Sequence, residues 1–308
     1  MNKTHQKPTH GSLEWLLLRN RIDGKCVFGA SEIPALMGAS DYETPMDLAI
    51  RKLQEPVVTE PNEAMVRGTY LEPSLISYAE SLLGKIIVPE VMYQNGRVIA
   101  TLDGLTENGK LIIEAKTTNS WSLNDDELPI AWQWQAQAQM FCTDLTKVMF
   151  VILDRNMRLG FVEIEANSQM IWELSEKAHE FGSLIDDDKI PDEPLTTKQV
   201  GILYPESNGT RELEPSEISI LEMWQASKLA LADAEKTEQE CRDALINVLR
   251  ETETATVMGQ KVISYKTQKG RTSIDTKALE AEYPEIANKF KKQGNTFRVL
   301  RMFNTKGE

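Results

Sequence analysis

The sequence predicts an α/β protein in which a mixed sheet is flanked by helices, and three patterns carry that prediction. Apolar residues recur at helical spacing over 13–21 and 64–83, residues 86–117 change to strand-like runs divided by hairpin turns, and a helical stretch at 127–142 leads into two further strands. With 308 residues, 26% charged and 41% hydrophobic, the chain is long enough for one large core and an appendage.

Residues 13–21 (LEWLLLRNR) read as a short amphipathic helix. In GKCVFGASEIPALMG, Ser31 is expected to cap a helix with Glu32 beside it, and Pro34 falls in the first turn, where its missing N–H costs little. MDLAIRKLQ continues as another helix. From Ala64 to Leu83 the residues Leu71, Leu75, Tyr78 and Leu82 keep helical spacing, and Pro73 is expected to open a second helix there. The runs IIVPEVMY, GRVIATLDGL and KLIIEAKTT, separated by QNG and ENGK turns, predict three consecutive strands in a meander.

ELPIAWQWQAQAQMFC returns to helix, KVMFVILD and RLGFVEIEA pair around Arg155, Asn156 and Met157, and a helix over about 167–186 closes a core assigned to residues 1–190. Residues 191–214 are rich in proline and acid and read as a linker or surface crossing. A long helix over 215–251, rich in Ala, Leu, Glu and Lys, suits packing or oligomerisation. A tail with one hairpin (TVMGQKVISYK) that ends in FRVLRMF completes a C-terminal extension over 215–308.

Composition narrows the chemistry. Cys26, Cys142 and Cys241 lie about a hundred residues apart and make neither a disulfide framework nor a metal knuckle. Two of the three histidines fall in the first ten residues, which are expected to fray, so imidazole-rich zinc sites and Ser-His-Asp catalysis are disfavoured. No apolar run of membrane-spanning length and no secretory signal pattern is present, which predicts a cytoplasmic protein. The net charge of −13 argues against nonspecific coating of nucleic acid, yet residues 255–303 hold ten Lys/Arg against four Asp/Glu. Any chemistry must rest on carboxylates, lysine and amides.

One group of residues meets that requirement. Asp103 ends a predicted strand, and Glu114 and Lys116 alternate along the next, so both point to one face of the sheet. Asp103, Glu114 and the carbonyl of Ala115 can together offer three oxygens to an ion such as Mg²⁺. Lys116 would then stand beside an attacking water and offset charge that develops on phosphorus oxygens. KLIIEAKTT buries Ile112 and Ile113 and should be a central strand, where an idle Glu and Lys are costly.

Five blocks in order, GASEIPALMG, GTYLEP, TLDGL, IIEAK and QWQAQAQM, resemble the phage exonucleases related to lambda exonuclease, the YqaJ-type members of the PD-(D/E)xK nucleases. The resemblance covers about residues 13–165 and implies a restriction-endonuclease-like PD-(D/E)xK core, here followed by a long helix and a small β-hairpin extension. It implies that Asp103 bridges metal, that Glu114 and the Ala115 carbonyl are further ligands, and that Lys116 is the catalytic lysine. Glu72 would complete the site through metal or metal-bound water. Gln137 would orient the water or scissile phosphate, with Gln135 and Gln139 as near candidates. Arg19, Ser31 and Thr101 would hold a 5′-terminal phosphate, a task to which a helix start with an arginine and two hydroxyls is suited. Leu102 stands where the family motif has proline, a residue that shapes the turn and ligates nothing, and the interval between Arg19 and Ser31 is longer than in the family.

The activity so implied is Mg²⁺- or Mn²⁺-dependent hydrolysis of linear duplex DNA from its 5′ ends by two ions, in phage-type recombination within a bacterial host. Expected partners are double-stranded DNA ends, further copies of the chain in a ring, a trimer above all, and a single-strand-annealing recombinase or single-strand-binding protein. The rivals are an endonuclease or helicase-associated nuclease of the same fold and, from another class, a noncatalytic DNA-binding or assembly protein. Three scattered cysteines disfavour an iron–sulfur nuclease.

Overall fold

Side-chain caps and strand pairing fix the order of elements from the first residues onward. The chain begins with strand β1 (Lys3–Gln6), helix α1 (Leu13–Asn20) and the short strands β2 (Arg21–Ile22), β3 (Lys25–Cys26) and β4 (Phe28–Gly29). A 3-10 turn (Ala30–Glu32) leads to α2 (Ile33–Leu36), α3 (Pro45–Leu53) and α4 (Glu63–Leu83). Next come β5 (Ile86–Ile87), β6 (Val91–Asn95), β7 (Val98–Ala100), β8 (Gly104–Thr106) and β9 (Ile112–Thr117). Helix α5 (Ile130–Thr143), strands β10 (Lys147–Leu153) and β11 (Leu159–Glu165), and helices α6 (Ser168–Asp186) and α7 (Thr197–Leu203) follow. The structure is a computed structural model that describes residues 2–207, 209–292, 294 and 298–302, in two units, Met1–Pro205 and Glu206–Glu308.

The α/β class expected from the sequence is the one observed, with two mixed sheets. One has the order β1-β6-β7-β4 and the other β11-β10-β9-β8-β5. The predicted meander is therefore corrected. β6 and β7 pair antiparallel in the first sheet, β8 and β9 antiparallel in the second, and the chain changes sheets at Thr101–Asp103. β9 lies between β8 and the parallel strand β10, as its apolar character requires. Ile112 and Glu114 face one side, and Ile113 packs on the other with Leu75 and Ala79 of α4.

α5 sits between the two cores. Trp134, Ala138 and Cys142 join Phe28, Leu174 and Phe181, whereas Ala136 and Met140 join Ile112, Val148 and Phe150. Each large apolar side chain so buried contributes roughly 1.5–3 kcal/mol. Asp154 is buried as well, but it accepts from the Leu123, Asn156 and Arg158 amides and from the Arg158 guanidinium, pinning the β10–β11 turn.

Three further expectations are corrected. The first residues do not fray: β1 pairs with β6 from Lys3↔Gln94 to Gln6↔Val91, and His5 Nε2 lies 2.6 Å from Gln94 Oε1. α4 runs unbroken through Pro73, because the Thr69 carbonyl that loses its amide partner belongs to an exposed stretch that water reaches. Ser31 is not a helix cap. Gly29 takes that position and donates its amide to the Glu32 carboxylate at 2.6 Å.

α7 falls within the stretch read as a linker, capped by Thr196, and its Gln199 donates to Asp47 of α3 at 2.9 Å. The second unit holds helix α8 (Pro215–Leu249), strands β12 (Thr254–Val257) and β13 (Gln260–Ser264), and helices α9 (Thr276–Glu282) and α10 (Pro284–Phe290). Met258 and Gly259, at φ 50° and 82°, make the tight turn of its hairpin. Of the predicted FRVLRMF end, Phe297 and Phe303 lie outside the described residues, and 298–302 carry no regular secondary structure. No helix among the described residues is long and apolar enough to cross a membrane.

Candidate active site

The step between the sheets sets the first carboxylate. β8 pairs with β9 only as far as Gly104↔Ile113, so the Ala115 amide lies past the end of that ladder, and Asp103 Oδ2 accepts it at 2.9 Å. Period-two geometry puts Glu114 and Lys116 on the side of β9 that faces α5. Lys116 Nζ donates to Glu114 Oε1 at 2.7 Å and to Gln135 Oε1 at 2.8 Å. Gln135 Nε2 donates to the same Glu114 oxygen at 2.7 Å, and Gln139 Nε2 donates to Glu114 Oε2 at 2.5 Å. Both oxygens of a carboxylate that is 3% exposed are thus held by charged or amide donors.

The electrostatics are uneven. Burial, with the Glu114 and Glu72 carboxylates added to it, drives the Asp103 carboxyl well above the ordinary range, and the Ala115 amide and Lys116 oppose this only in part. Glu72 is raised in the same way, by burial first and then by Glu114. Asp103 and Glu114 thus stand next to each other on the sheet, Lys116 is paired with Glu114, and Glu72 on an exposed turn of α4 feels the Glu114 charge. Among the described residues, no group of three or more His, Cys, Asp or Glu side chains encloses an ion position.

The glutamines divide. Gln135 and Gln139, four residues apart on α5, both reach Glu114. Gln137 does not, which corrects the role that the resemblance gave it. Two residues from either neighbour, it is turned about 200° around the helix. There its Nε2 donates to the Glu165 carbonyl at 3.0 Å and its Oε1 accepts the Asn167 amide at 2.8 Å, so that it fastens the start of α6. The i,i+4 spacing of Gln135 and Gln139 was the signal available in the sequence. Gln139 also approaches the Thr101 carbonyl at 3.4 Å, and its own Oε1 is buried without a partner among the described residues.

Arg19 and Ser31 meet despite the long interval between them, because β2, β3 and β4 absorb the intervening residues. Arg19 Nη2 donates to Ser31 Oγ at 2.8 Å, and the guanidinium lies 4.2 Å over the Trp15 ring. Behind it, Lys52 Nζ donates to Glu32 Oε2 and to the Arg19 carbonyl, and Arg51 donates to Glu32 Oε1. Burial alone would raise the Glu32 carboxyl, but Lys52, Arg19 and Arg51 outweigh it and hold the group well below the usual carboxylate range. A cavity of about 140 Å³ brings the two groups together, with Arg19, Ser31, Thr101, Asp103, Gln135 and His10 in its wall. His10 has no counterpart in the sequence expectations.

Residues 14–146 match the model of the YqaJ-like viral recombinase domain. The YqaJ protein of Bacillus subtilis (strain 168) is 22% identical over 303 residues, which span 91% of each chain. Among solved structures, the alkaline exonuclease of Laribacter hongkongensis is similar at 23% identity and a TM-score of 0.47, over 57% of this chain and 94% of that one. A phage related exonuclease of Haemophilus somnus 129PT is similar at 14% identity and a TM-score of 0.42, over 53% and 95%.

Proposed function

From the match of residues 14–146 to the YqaJ-like viral recombinase domain and the site geometry, we propose that the protein is an Mg²⁺- or Mn²⁺-dependent exonuclease that degrades linear double-stranded DNA from its 5′ ends during phage-type recombination. The observation that carries this reading is the placing of Asp103, held on the Ala115 amide, beside the Glu114–Lys116 ion pair, with Asp103 in the wall of a cavity that also holds Arg19 and Ser31. The Asp103 and Glu72 carboxyls are both raised with Glu114 beside them, a donor set that divalent cations relieve. The oxygens are of the hard type that Mg²⁺ prefers.

In this reading Asp103, Glu114 and the Ala115 carbonyl hold two ions, with Glu72 acting directly or through water. When bound, such ions polarise the scissile phosphodiester and ease deprotonation of the attacking water. Lys116, released from Glu114 Oε1, presents its charge to the oxygens of the scissile phosphate. Gln135 follows Lys116 and orients the water or the phosphate, and Gln139 keeps Glu114 in place. Arg19, Ser31 and Thr101 take the 5′-terminal phosphate, so that the chain end is placed before the adjacent bond is cut. A homo-oligomeric ring, with three subunits favoured, would keep an acidic protein on a polyanion. A single-strand-annealing recombinase or single-strand-binding protein is the proposed partner, and the cytoplasm of the bacterial host the proposed location.

Digestion of 5′-phosphorylated linear duplex with and without Mg²⁺, beside closed-circular DNA, tests the reading. Metal-dependent loss of the linear DNA alone, abolished by Lys116→Ala, is the expected result, and cutting of the circle would make the protein an endonuclease. One observation favours a second reading. The saturation of both Glu114 oxygens by Lys116, Gln135 and Gln139 suits a noncatalytic DNA-binding protein, for which the same experiment leaves all DNA intact.

A further inference from the structure

We infer that His10, carried on an N-terminal strap across the rim of the cavity, is a specificity residue that contacts the terminal phosphate of bound DNA. The inference rests on the reading of Arg19, Ser31 and Thr101 given above and adds a residue from a part of the chain that carries none of the motifs.

The strap is anchored at both ends. Before it, β1 is hydrogen-bonded to β6, and the Lys7 amide donates to the Glu90 carbonyl at 2.9 Å. After it, Gly11 turns the chain at φ 75°, and Ser12 caps α1 by accepting the Trp15 amide. The span between these anchors places His10 against Trp15, with ring centroids 4.5 Å apart and planes inclined by 40°. Trp15 is thereby covered by His10 at one contact and by the Arg19 guanidinium at 4.2 Å. Two rings and a guanidinium in such contact restrain one another, so His10 meets a ligand with little rotamer freedom left to lose.

Two independent features of this wall call for an anionic oxygen ligand. The Trp15 indole N–H is buried, on a residue 7% exposed, and has no acceptor among the described residues. An unpaired buried donor costs free energy that an oxygen able to reach it would recover. The second is cationic: Arg19 lies in the wall, and Lys7 and Arg19 are both close enough to lower the imidazole pKa, after burial, which is the largest influence. These influences favour the neutral ring, which keeps one N–H to donate. Asp103 faces the same space, so a phosphate seated against His10, Arg19 and Ser31 has the proposed metal centre beside it.

The test is equilibrium binding, by fluorescence anisotropy in EDTA, of a short blunt duplex bearing either a 5′-phosphoryl or a 5′-hydroxyl end, to the full chain and to its His10→Ala and His10→Gln variants. Wild type should favour the phosphorylated end. His10→Ala should reduce that preference about tenfold, the loss of one charge-assisted hydrogen bond, while affinity for the hydroxyl end is unchanged. His10→Gln, which keeps an N–H donor, should restore most of it. Full phosphate preference in His10→Ala overturns the inference, as does a wild type that binds both ends equally. Phosphate-selective binding without Mg²⁺-dependent digestion supports His10 and overturns the nuclease reading, whereas digestion without phosphate selectivity does the reverse.

Discussion

Gln137 and Gln139 are two residues apart on one helix, both at most 3% exposed, yet the structure gives them opposite tasks, so their variants should separate cleanly. Gln137→Met keeps side-chain length and removes an acceptor from the Asn167 amide and a donor from the Glu165 carbonyl. A buried peptide group left unpaired costs about 1–3 kcal/mol. Because Glu165 and Asn167 are themselves exposed and water can reach part of the gap, we expect about 1–2 kcal/mol in total. In a unit of this size that lowers Tm by roughly 2–8 °C, with turnover per folded molecule unchanged. Gln139→Met removes a donor from Glu114 Oε2 and at the same time an orphaned buried carbonyl. Its stability should stay near that of wild type, while metal-dependent DNA digestion falls roughly ten- to a hundredfold, the equivalent of one hydrogen bond to a charged group. Thermal scans paired with kcat on linear duplex decide the matter. A Gln137→Met protein with wild-type Tm and collapsed kcat would refute the assignment and bring Gln137 back to the site.

Other outcomes follow from the same geometry. Asp103→Asn and Lys116→Ala should each abolish digestion without unfolding the chain, which circular dichroism beside the nuclease assay checks. Glu32→Gln breaks a buried ion cluster and should cost about 3–5 kcal/mol in urea unfolding at pH 7. Because the folded Glu32 carboxyl is depressed, its stabilisation is complete above its unfolded pKa of about 4.3 and declines as pH falls below that value, so the gap between variant and wild type should narrow by pH 3; a constant gap would contradict the ion-cluster account. Gly29→Ala sets a Cβ 2.7 Å from Arg19 Cζ and should displace the guanidinium from Ser31, which weakened selectivity for 5′-phosphoryl ends would reveal. A thiol-reactive dye should label Cys241 rapidly in the native protein, whereas Cys26, pushed up to about 11 by burial, and the fully buried Cys142 should react only on unfolding.

The sequence was informative where a side chain's direction follows from local periodicity. Glu114 and Lys116 lie on one face of β9 because strands alternate, and the two strands after α5 pair as their apolar runs suggest. It was uninformative where long-range geometry decides. Nothing local says that GRVIATLDGL divides between two sheets, since its halves are equally strand-like. Pro73 is a helix breaker by propensity, but an exposed carbonyl removes most of the reason to break. The glutamines of QWQAQAQM alternate like a strand pattern, and only the helical period of 3.6 shows which of them face Glu114. The first ten residues lack apolar content, so their order depends on a backbone edge offered by β6, which no composition reveals.

The step between the sheets also sets where this chain can change in length. Between Ala100 and Gly104 the backbone has only three residues in which to leave one sheet, present a carboxylate to the Ala115 amide and enter the other. One residue more would carry Asp103 past that amide or turn it to the opposite face, and one fewer could not span the gap. Nor can the following position accept a larger residue, because a Cβ on Gly104 would stand 2.6 Å from Ile86 Cγ2 and 3.3 Å from Ile113 Cβ. Insertions and deletions should therefore be absent from this turn in any functional descendant of the chain, while the exposed segment 57–61 can lengthen freely. A library of single-residue insertions, screened for DNA digestion, would show a gap at 101–104.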